Sequence, residues 1–436
     1  MWVRLVLALV LLANRRVVVD KGGSPLLRVV GLHIGGVLLK RQSLHPLAPP
    51  LDLSVIHLHL AARLLVTLGQ TPGYGMAMVA MLAAEPYPPY QRPPLTKEYL
   101  RGEMGRDGLW IEDPEWYTDN GVELRLATQV KALDRQQNII ETEGGEFPYD
   151  ACVLATGSEP VRIPVPGAED PEILVMRTLE NSNRLRERVG EGDRAVVVGS
   201  GFIGCEAAAS LSLRGAEVTL ISLELSPQKA RLGEEVGERM EQWLGGYGVS
   251  LRLDASIDSI TCKDGVYKVS VENGEQVAAD TVLFGTGVSP RTELAERTGL
   301  AVEGGIITDS AMRTSGTGVF AVGDVAQAYN ESAGRHLSVE HWGDALEHGR
   351  IAGTVLAGGE ASWTMAPGFW STIGDKTLKY WAWGDGWDEK RFVDKGEEFT
   401  VWYGRQGTLV GVLAHGSDED YEEGRDLIES GGPFAW

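Results

Sequence analysis

Residues 194 to 222 change their hydrophobic pattern twice, and each change marks an element. RAVVV (194–198) is an apolar, β-branched run bounded by charge, which predicts a buried strand. FIGCEAAASLSL (202–213) is rich in helix-favouring alanine and leucine and closes on Gly215, which predicts a helix. AEVTLIS (216–222) predicts a second strand. Between strand and helix stands Gly199-Ser200-Gly201-Phe202-Ile203-Gly204, the spacing GxGxxG. Gly199 permits a tight turn, Gly201 lets backbone approach a pyrophosphate, and Gly204 lets the helix pack against the strand with its positive end aimed at the phosphates. The bare spacing is weak, but a strand before it and a helix and second strand after it point to a dinucleotide cradle. The acid that commonly ends the second strand is missing. That place holds Ser222, with Glu224 just beyond and Lys229 and Arg231 further along, so NADH and NADPH both stay open.

The pattern elsewhere fills in an α/β chain. EPYPPYQRPPLTKEYLRGE (85–103) predicts a proline-stiffened extended piece running into a short helix near Leu95. GVELRLATQVKALD (121–134) and NIIETEGGEFPYD (138–150) predict strands, the latter a hairpin with a glycine turn. DACVLATG (150–157) predicts a buried strand ending in glycine, followed by a proline-rich boundary. DTVLFGTG (280–287) repeats that form, and the ATG and GTG endings suggest a duplicated domain. FAVGDVAQ (320–327) predicts a strand whose Gly323-Asp324 opens a helix. An acid there is either a helix cap or a ligand group at a strand end. TLKYWAWG, EFTVWYG and TLVGVLA predict a small antiparallel sheet, with seven of the twelve tryptophans after residue 360, most of them filling it.

Composition limits the chemistry. With 40 basic and 61 acidic residues the net charge is −21, which disfavours nucleic acid and anionic membranes. Three cysteines, 152, 205 and 262, form no CxxC-type pair, so no disulfide framework, metal cluster or redox dithiol is expected, and Cys152 and Cys205 read as core filler. The reducing cytoplasm suits such a chain. Residues 1–84 are discordant: eight basic residues, two acids and half of the eight histidines. Their opening has the charged start and short apolar run of a signal peptide without its cleavage site, so targeting is not expected. GLHIGG (31–36) has the wrong spacing for a phosphate turn.

The joint markers PYQRPPLTKEYL, LATG, VVVGSGFIGCE, FGTGVSP, FAVGDVA, VEHWGDALEHGRIAG and PGFWS resemble the ferredoxin-reductase-like and apoptosis-inducing-factor-like branch of the flavin-dependent pyridine nucleotide oxidoreductases, over about residues 85–436. The resemblance implies two doubly wound dinucleotide-binding domains, for FAD and NAD(P)H, and a small C-terminal α/β domain. The FAD domain would comprise 85–165 and 291–360, the NAD(P)H domain 166–290, and a dimerisation or interface-type domain 361–436. It makes VVVGSGFIGCE the second cradle. The FAD cradle expected before it is not recognisable in 1–84, and a shifted reading frame or misassigned start would produce such a change at Ala84/Glu85.

The resemblance implies that Arg92 and Lys97 contact the flavin's phosphate and ring region and that Val130 meets the adenine through its backbone. Asp324 would bond the ribityl chain, and Glu206, on the first turn of the cradle helix, would lie beside the nicotinamide with Lys97 as its partner. Glu340, His341 and Trp370 would lie near the flavin. Thr156, Gly157, Gly199, Gly201, Phe202, Ile203, Gly204, Ser222, Gly285, Gly287 and Gly323 complete the expected cofactor set, with no metal ligands. The implied activity passes hydride from NAD(P)H to FAD and electrons on to a ferredoxin or rubredoxin, in a monomer or homodimer. The alternatives are a redox-controlled interaction protein and an inactive remnant without the FAD cradle. The chain departs from the family after FWS, where Thr372-Ile373-Gly374-Asp375 replaces an immediate Asp.

Overall fold

Arg194–Val198 is the middle strand of a five-stranded parallel sheet in the computed structural model, which describes residues 12–13, 77–272 and 274–435. The order is Ser250–Arg252, Glu217–Ile221, Arg194–Val198, Thr281–Phe284, Leu174–Val175. A parallel sheet covered on both faces needs continuous apolar strands, and Ala195 to Val198 and Val282 to Phe284 are all buried. Helices Leu179–Arg188, Phe202–Leu213 and Glu234–Gly246 supply the crossovers. The first starts at Thr178, whose side chain and Asn181 cap each other's backbone N–H groups. An antiparallel flap, Ile257–Lys263, Val266–Val271 and Gln276–Ala279, packs on the sheet.

A second unit draws on residues from both sides of the first. Ala77–Leu82 pairs in parallel with Val122–Arg125, and Cys152–Leu154 pairs in parallel with Val319–Ala321. One apolar core gathers Leu82, Cys152, Leu154, Ala321, Val325, Ile351 and Trp363. Among the described residues no strand joins the two parallel pairs. Of residues 1–84, the expected place of the first cradle, only 12–13 and 77–84 are described; the 31–36 stretch and the four histidines lie outside the described residues. The ATG and GTG endings occupy equivalent places, each following a buried strand and feeding a short linker strand. The linkers, Ser158–Pro160 and Val288–Pro290, pair antiparallel. Thr156 Oγ1 donates to Arg291 O at 2.8 Å, and Arg291 N–H donates to Gly157 O at 2.8 Å, so both chain crossings are tied at one point.

One expectation is corrected. Gly323-Asp324 does not open a helix: Gly323–Val325 is a single 3₁₀ turn that leads into strand Ala326–Asn330. The alternating burial of that strand and its pairing with Ile306–Thr308 override the cap signal. Trp363 is one of the tryptophans outside the C-terminal sheet: it is fully buried in the second unit's core with His348 edge-on at 4.5 Å.

The C-terminal unit is a five-stranded antiparallel sheet, ordered Gly368–Ile373, Lys376–Ala382, Thr408–His415, Glu398–Arg405, Glu389–Lys395, with helix Asp418–Glu429 on it. It contains the three predicted strands. The departure after FWS also acquires a structural role here. Gly374-Asp375 turns the hairpin, and the Asp375 carboxylate accepts the Tyr247 hydroxyl of the preceding unit. Gly374 sits at φ +62°, and a Cβ there would lie 2.2 Å from the Tyr247 ring.

Gly374→Ala is therefore expected to destabilise the protein by about 2 kcal/mol, from left-handed strain plus overpacking, read as a lower urea midpoint. A second expectation concerns pH. Burial pushes His348 down to about 4 from 6.5. The unfolded chain then binds the extra proton, so this contribution is complete above pH 6.5 and is lost as pH falls toward 4. His348→Gln should flatten that acid limb in urea titrations at pH 7 and pH 5.

Candidate active site

The glycine turn is built by close backbone contact. Gly199, at φ +101°, donates its N–H to Ile221 O at 2.8 Å, and a Cβ on it would sit 2.5 Å from Gly285 O. A Cβ on Gly204 would lie 2.0 Å from Gly199 O, and one on Gly285 would lie 3.0 Å from Gly204 Cα. Any side chain at these places would push helix Phe202–Leu213 off the sheet. Gly201 differs, because a Cβ there would meet nothing nearer than 3.7 Å. The helix begins after Gly201 with no side-chain cap, leaving its first N–H groups for an anion.

This turn forms one wall of a cleft of about 360 Å³. Of the expected site residues, Arg92, Lys97, Gly201, Phe202, Ile203, Glu206, Gly285, Gly287, Glu340, His341 and Trp370 line it. Val130, Thr156, Gly157, Gly199, Gly204, Ser222, Gly323 and Asp324 lie outside that lining. Val130 is the buried first residue of a half-exposed strand, Gly199 and Gly204 form the packing behind the turn, and Ser222 follows the second strand. Arg177, Gln228, Arg231 and Phe369 line the cleft without having been foreseen.

Glu206 sits at the floor, 5% exposed, at the start of the second turn of its helix rather than on the first. Its Oε2 accepts from Lys97 Nζ at 2.7 Å and Thr96 Oγ1 at 2.5 Å. Oε1 accepts from Ser371 Oγ at 2.8 Å and the Thr372 N–H at 3.3 Å. Lys97, Thr96 and Ser371 are themselves buried. A buried carboxylate and ammonium hold their charges where each finds its partner and the remaining lone pairs are filled, as here. The expected Lys97–Glu206 contact is present; Thr96 and Ser371 were missed, although both stand inside recognised motifs, next to Lys97 and after Trp370.

A second buried ion pair joins Arg177, on the other wall, to Asp324 behind it. Asp324 pairs with Arg177 and accepts Ser158 Oγ at 3.1 Å. Burial works against its ionisation, yet the positive charge near it, Arg177 included, holds the carboxyl below the usual carboxylate range. Arg177 Nε is buried with no protein acceptor among the described residues, so a ligand acceptor would complete it. Arg92 donates to Glu85 at 2.7 Å and to Arg177 O at 2.6 Å, so it braces Arg177. Desolvation and then the Asp324 charge raise the pKa of Glu340. His341 Nδ1 lies 3.2 Å from Asp344, its ring 4.7 Å from Phe369. Arg231 rests over Phe202, Phe369 and Tyr380, centroids 5.8, 5.0 and 5.6 Å away.

This arrangement matches known proteins. The model for "Pyridine nucleotide-disulphide oxidoreductase" matches residues 62–349. The rubredoxin-NAD(+) reductase of Pseudomonas putida is 30% identical over 69% of this chain and 79% of its own. The ferredoxin–NAD(+) reductase component of the anthranilate 1,2-dioxygenase system of Burkholderia cepacia is 32% identical over 81% and 88%. The structure of a ferredoxin reductase from Rhodopseudomonas palustris superposes with a TM-score of 0.80 at 27% identity, covering 87% of this chain and 94% of that one. With a family model spanning well over half its length, and with the cradle and paired units in place, the chain belongs to the pyridine nucleotide-disulphide oxidoreductase family.

Proposed function

We propose that this protein is a flavoprotein reductase that takes electrons from NAD(P)H through FAD and delivers them to a small iron–sulfur protein of the ferredoxin or rubredoxin type. The observation that carries this is the Lys97–Glu206 pair, held from three parts of the chain at the floor of a cleft whose wall is the glycine turn. FAD, when bound, supplies the hydride acceptor and the conversion from two-electron to one-electron transfer. The protein's part is positional. Gly201 and the uncapped helix end would take the coenzyme's pyrophosphate, and Phe202 and Ile203 would shape the nicotinamide's approach. Lys97 and Glu206 would orient the reacting rings at the floor. The residues present suit a flavin on the opposite wall: Asp324 as an acceptor for hydroxyls, Arg177 Nε as an unmet donor, and Arg92, Glu340, His341 and Trp370 around them. In this reading residues 85–165 with 291–360 hold the flavin, 166–290 the coenzyme, and 361–436 the acceptor or dimer interface.

Cysteine chemistry separates this reaction from the dithiol relay in the family's name. The chain's three cysteines are free, Cys152 and Cys205 being fully buried and Cys262 exposed. Burial raises both buried thiols, Cys152 to about 12, which removes the thiolate that exchange needs. Direct electron transfer remains. A solved covalent complex of putidaredoxin reductase with putidaredoxin, 26% identical with a TM-score of 0.80, supports a small redox protein as acceptor. Among the described residues no helix is long and apolar enough to cross a membrane, and cytoplasmic work as a monomer or homodimer belongs to the same proposal.

The test is direct. The full chain, purified with FAD, should show flavin absorbance that NADH or NADPH bleaches without air; a protein that stays colourless after incubation with FAD sinks the proposal. Glu206→Ala should slow that bleaching about 100-fold, since it strands a buried ammonium and removes the orienting carboxylate. Ser371→Ala removes one charge-assisted bond worth about 1.5–3 kcal/mol, and its bleaching rate should fall between those of Glu206→Ala and the parent.

A further inference from the structure

The end of strand Glu217–Ile221 is where a bound dinucleotide would place its adenosine ribose. Ser222, the residue at that place, is already engaged. Its Oγ lies 2.7 Å from Ser200 Oγ and accepts the Glu224 N–H at 3.1 Å. This hydrogen bond turns the chain back, so the acid two residues on is returned to the cradle. Glu224 Oε2 accepts from Ser200 Oγ at 3.0 Å and from the Gln228 N–H at 2.9 Å. Ser200 is the middle residue of Gly199-Ser200-Gly201, and Gln228 lines the cleft beside Gly201. The carboxylate is thereby fastened to the turn itself, while Oε1 has no partner among the described residues.

Its surroundings are selective as well. Leu223 and Leu225 flank Glu224 and are 74% and 60% exposed, an unusual solvent-facing pair of leucines beside a fixed acid. The basic side chains along this loop and the neighbouring strand are occupied elsewhere. Lys229 pairs with Glu234 at 2.5 Å, Arg252 pairs with Glu275 at 2.9 Å, and Arg231 lies over aromatic rings.

We infer that Glu224 selects the coenzyme, and that the site takes NADH in preference to NADPH. This rests on reading the cradle as a nicotinamide dinucleotide site and names its substrate. A fixed carboxylate with an open oxygen is an acceptor for the two ribose hydroxyls, which are both donors. A 2′-phosphate in the same place would meet like charge, with each neighbouring cation already neutralised or stacked. The two leucines offer an apolar cover for an adenine ring.

Binding of NAD+ and NADP+ to the purified full chain, measured by titration calorimetry, tests this without any flavin reduction. NAD+ should bind at least about tenfold more tightly. Glu224→Gln, which keeps the shape and removes the charge, should weaken NAD+ and strengthen NADP+ so that the ratio falls toward one. Ser200→Ala, which keeps the charge but frees it, should weaken NAD+ while still rejecting NADP+. Equal or tighter NADP+ binding by the parent, or a ratio unchanged in Glu224→Gln, overturns the inference. If NAD+ is selected but no bleaching follows, the proposed reaction fails and this inference stands; if neither dinucleotide binds, both fall.

Discussion

One buried carboxylate sets the terms for the rest of the molecule. Glu206, carried on the cradle helix, fills its acceptor positions from two stretches distant in sequence: Thr96 with Lys97, and Ser371 with Thr372. None of these contacts is local, so the charge is tolerable only after all three parts have docked. A carboxylate stripped of water and missing a donor is costly, and so is a lone ammonium. The pair is weak evidence for stability and good evidence for geometry. It makes relative placement of the three parts a condition of burying the charge.

The glycines belong to the same constraint. Gly204 stands two residues before Glu206 on one helix, and its missing Cβ lets that helix rest on Gly199 O and against Gly285. A thicker residue would lift the helix and displace both its uncapped first N–H groups and the carboxylate at the floor. The spacing thus places the helix end and the charged pair beyond it with a single packing contact.

Much of this was legible in the sequence because its signals are local. The run of valines at 196–198, the GxGxxG spacing and the Gly144-Gly145 turn each specify an element within a few residues, and the structure contains those elements. The Lys97–Glu206 contact was legible only through resemblance, since 109 positions separate the partners. Arg177 carried no local mark, and Thr96 and Ser371 stood inside recognised motifs with nothing to single them out there. Their importance comes from what folds against them, and a threonine, a serine and an arginine are ordinary surface residues until then. Gly323-Asp324 misled for the converse reason. An acid after a strand is a good helix-cap signal, but pairing with Ile306–Thr308 was available to Ala326, Gln327 and Ala328 and prevailed. Glu224 was visible and undecidable, because its distance from the turn depends on the Ser200–Ser222 contact.

The C-terminal sheet shows why the cleft cannot be built from the two dinucleotide-binding units alone. Its edge strand Gly368–Ile373 alternates faces as any strand must, and its burial alternates in step, with Phe369, Ser371 and Ile373 on the buried side. That side meets the cradle helix: Phe369 stacks edge-on to Phe202 at 4.7 Å and Ser371 reaches Glu206. Trp370, on the opposite face, still borders the cleft. A slip of one residue in this strand would put Trp370 where Ser371 stands, replacing a hydroxyl donor with an indole too large for the gap. Gly374-Asp375 guards against it, because the turn after Ile373 is pinned to Tyr247, which follows helix Glu234–Gly246. The three-residue shift of the acid past FWS is then a register lock: it exchanges an aspartate immediately after FWS for one that fixes which side chain of the edge strand completes the buried carboxylate.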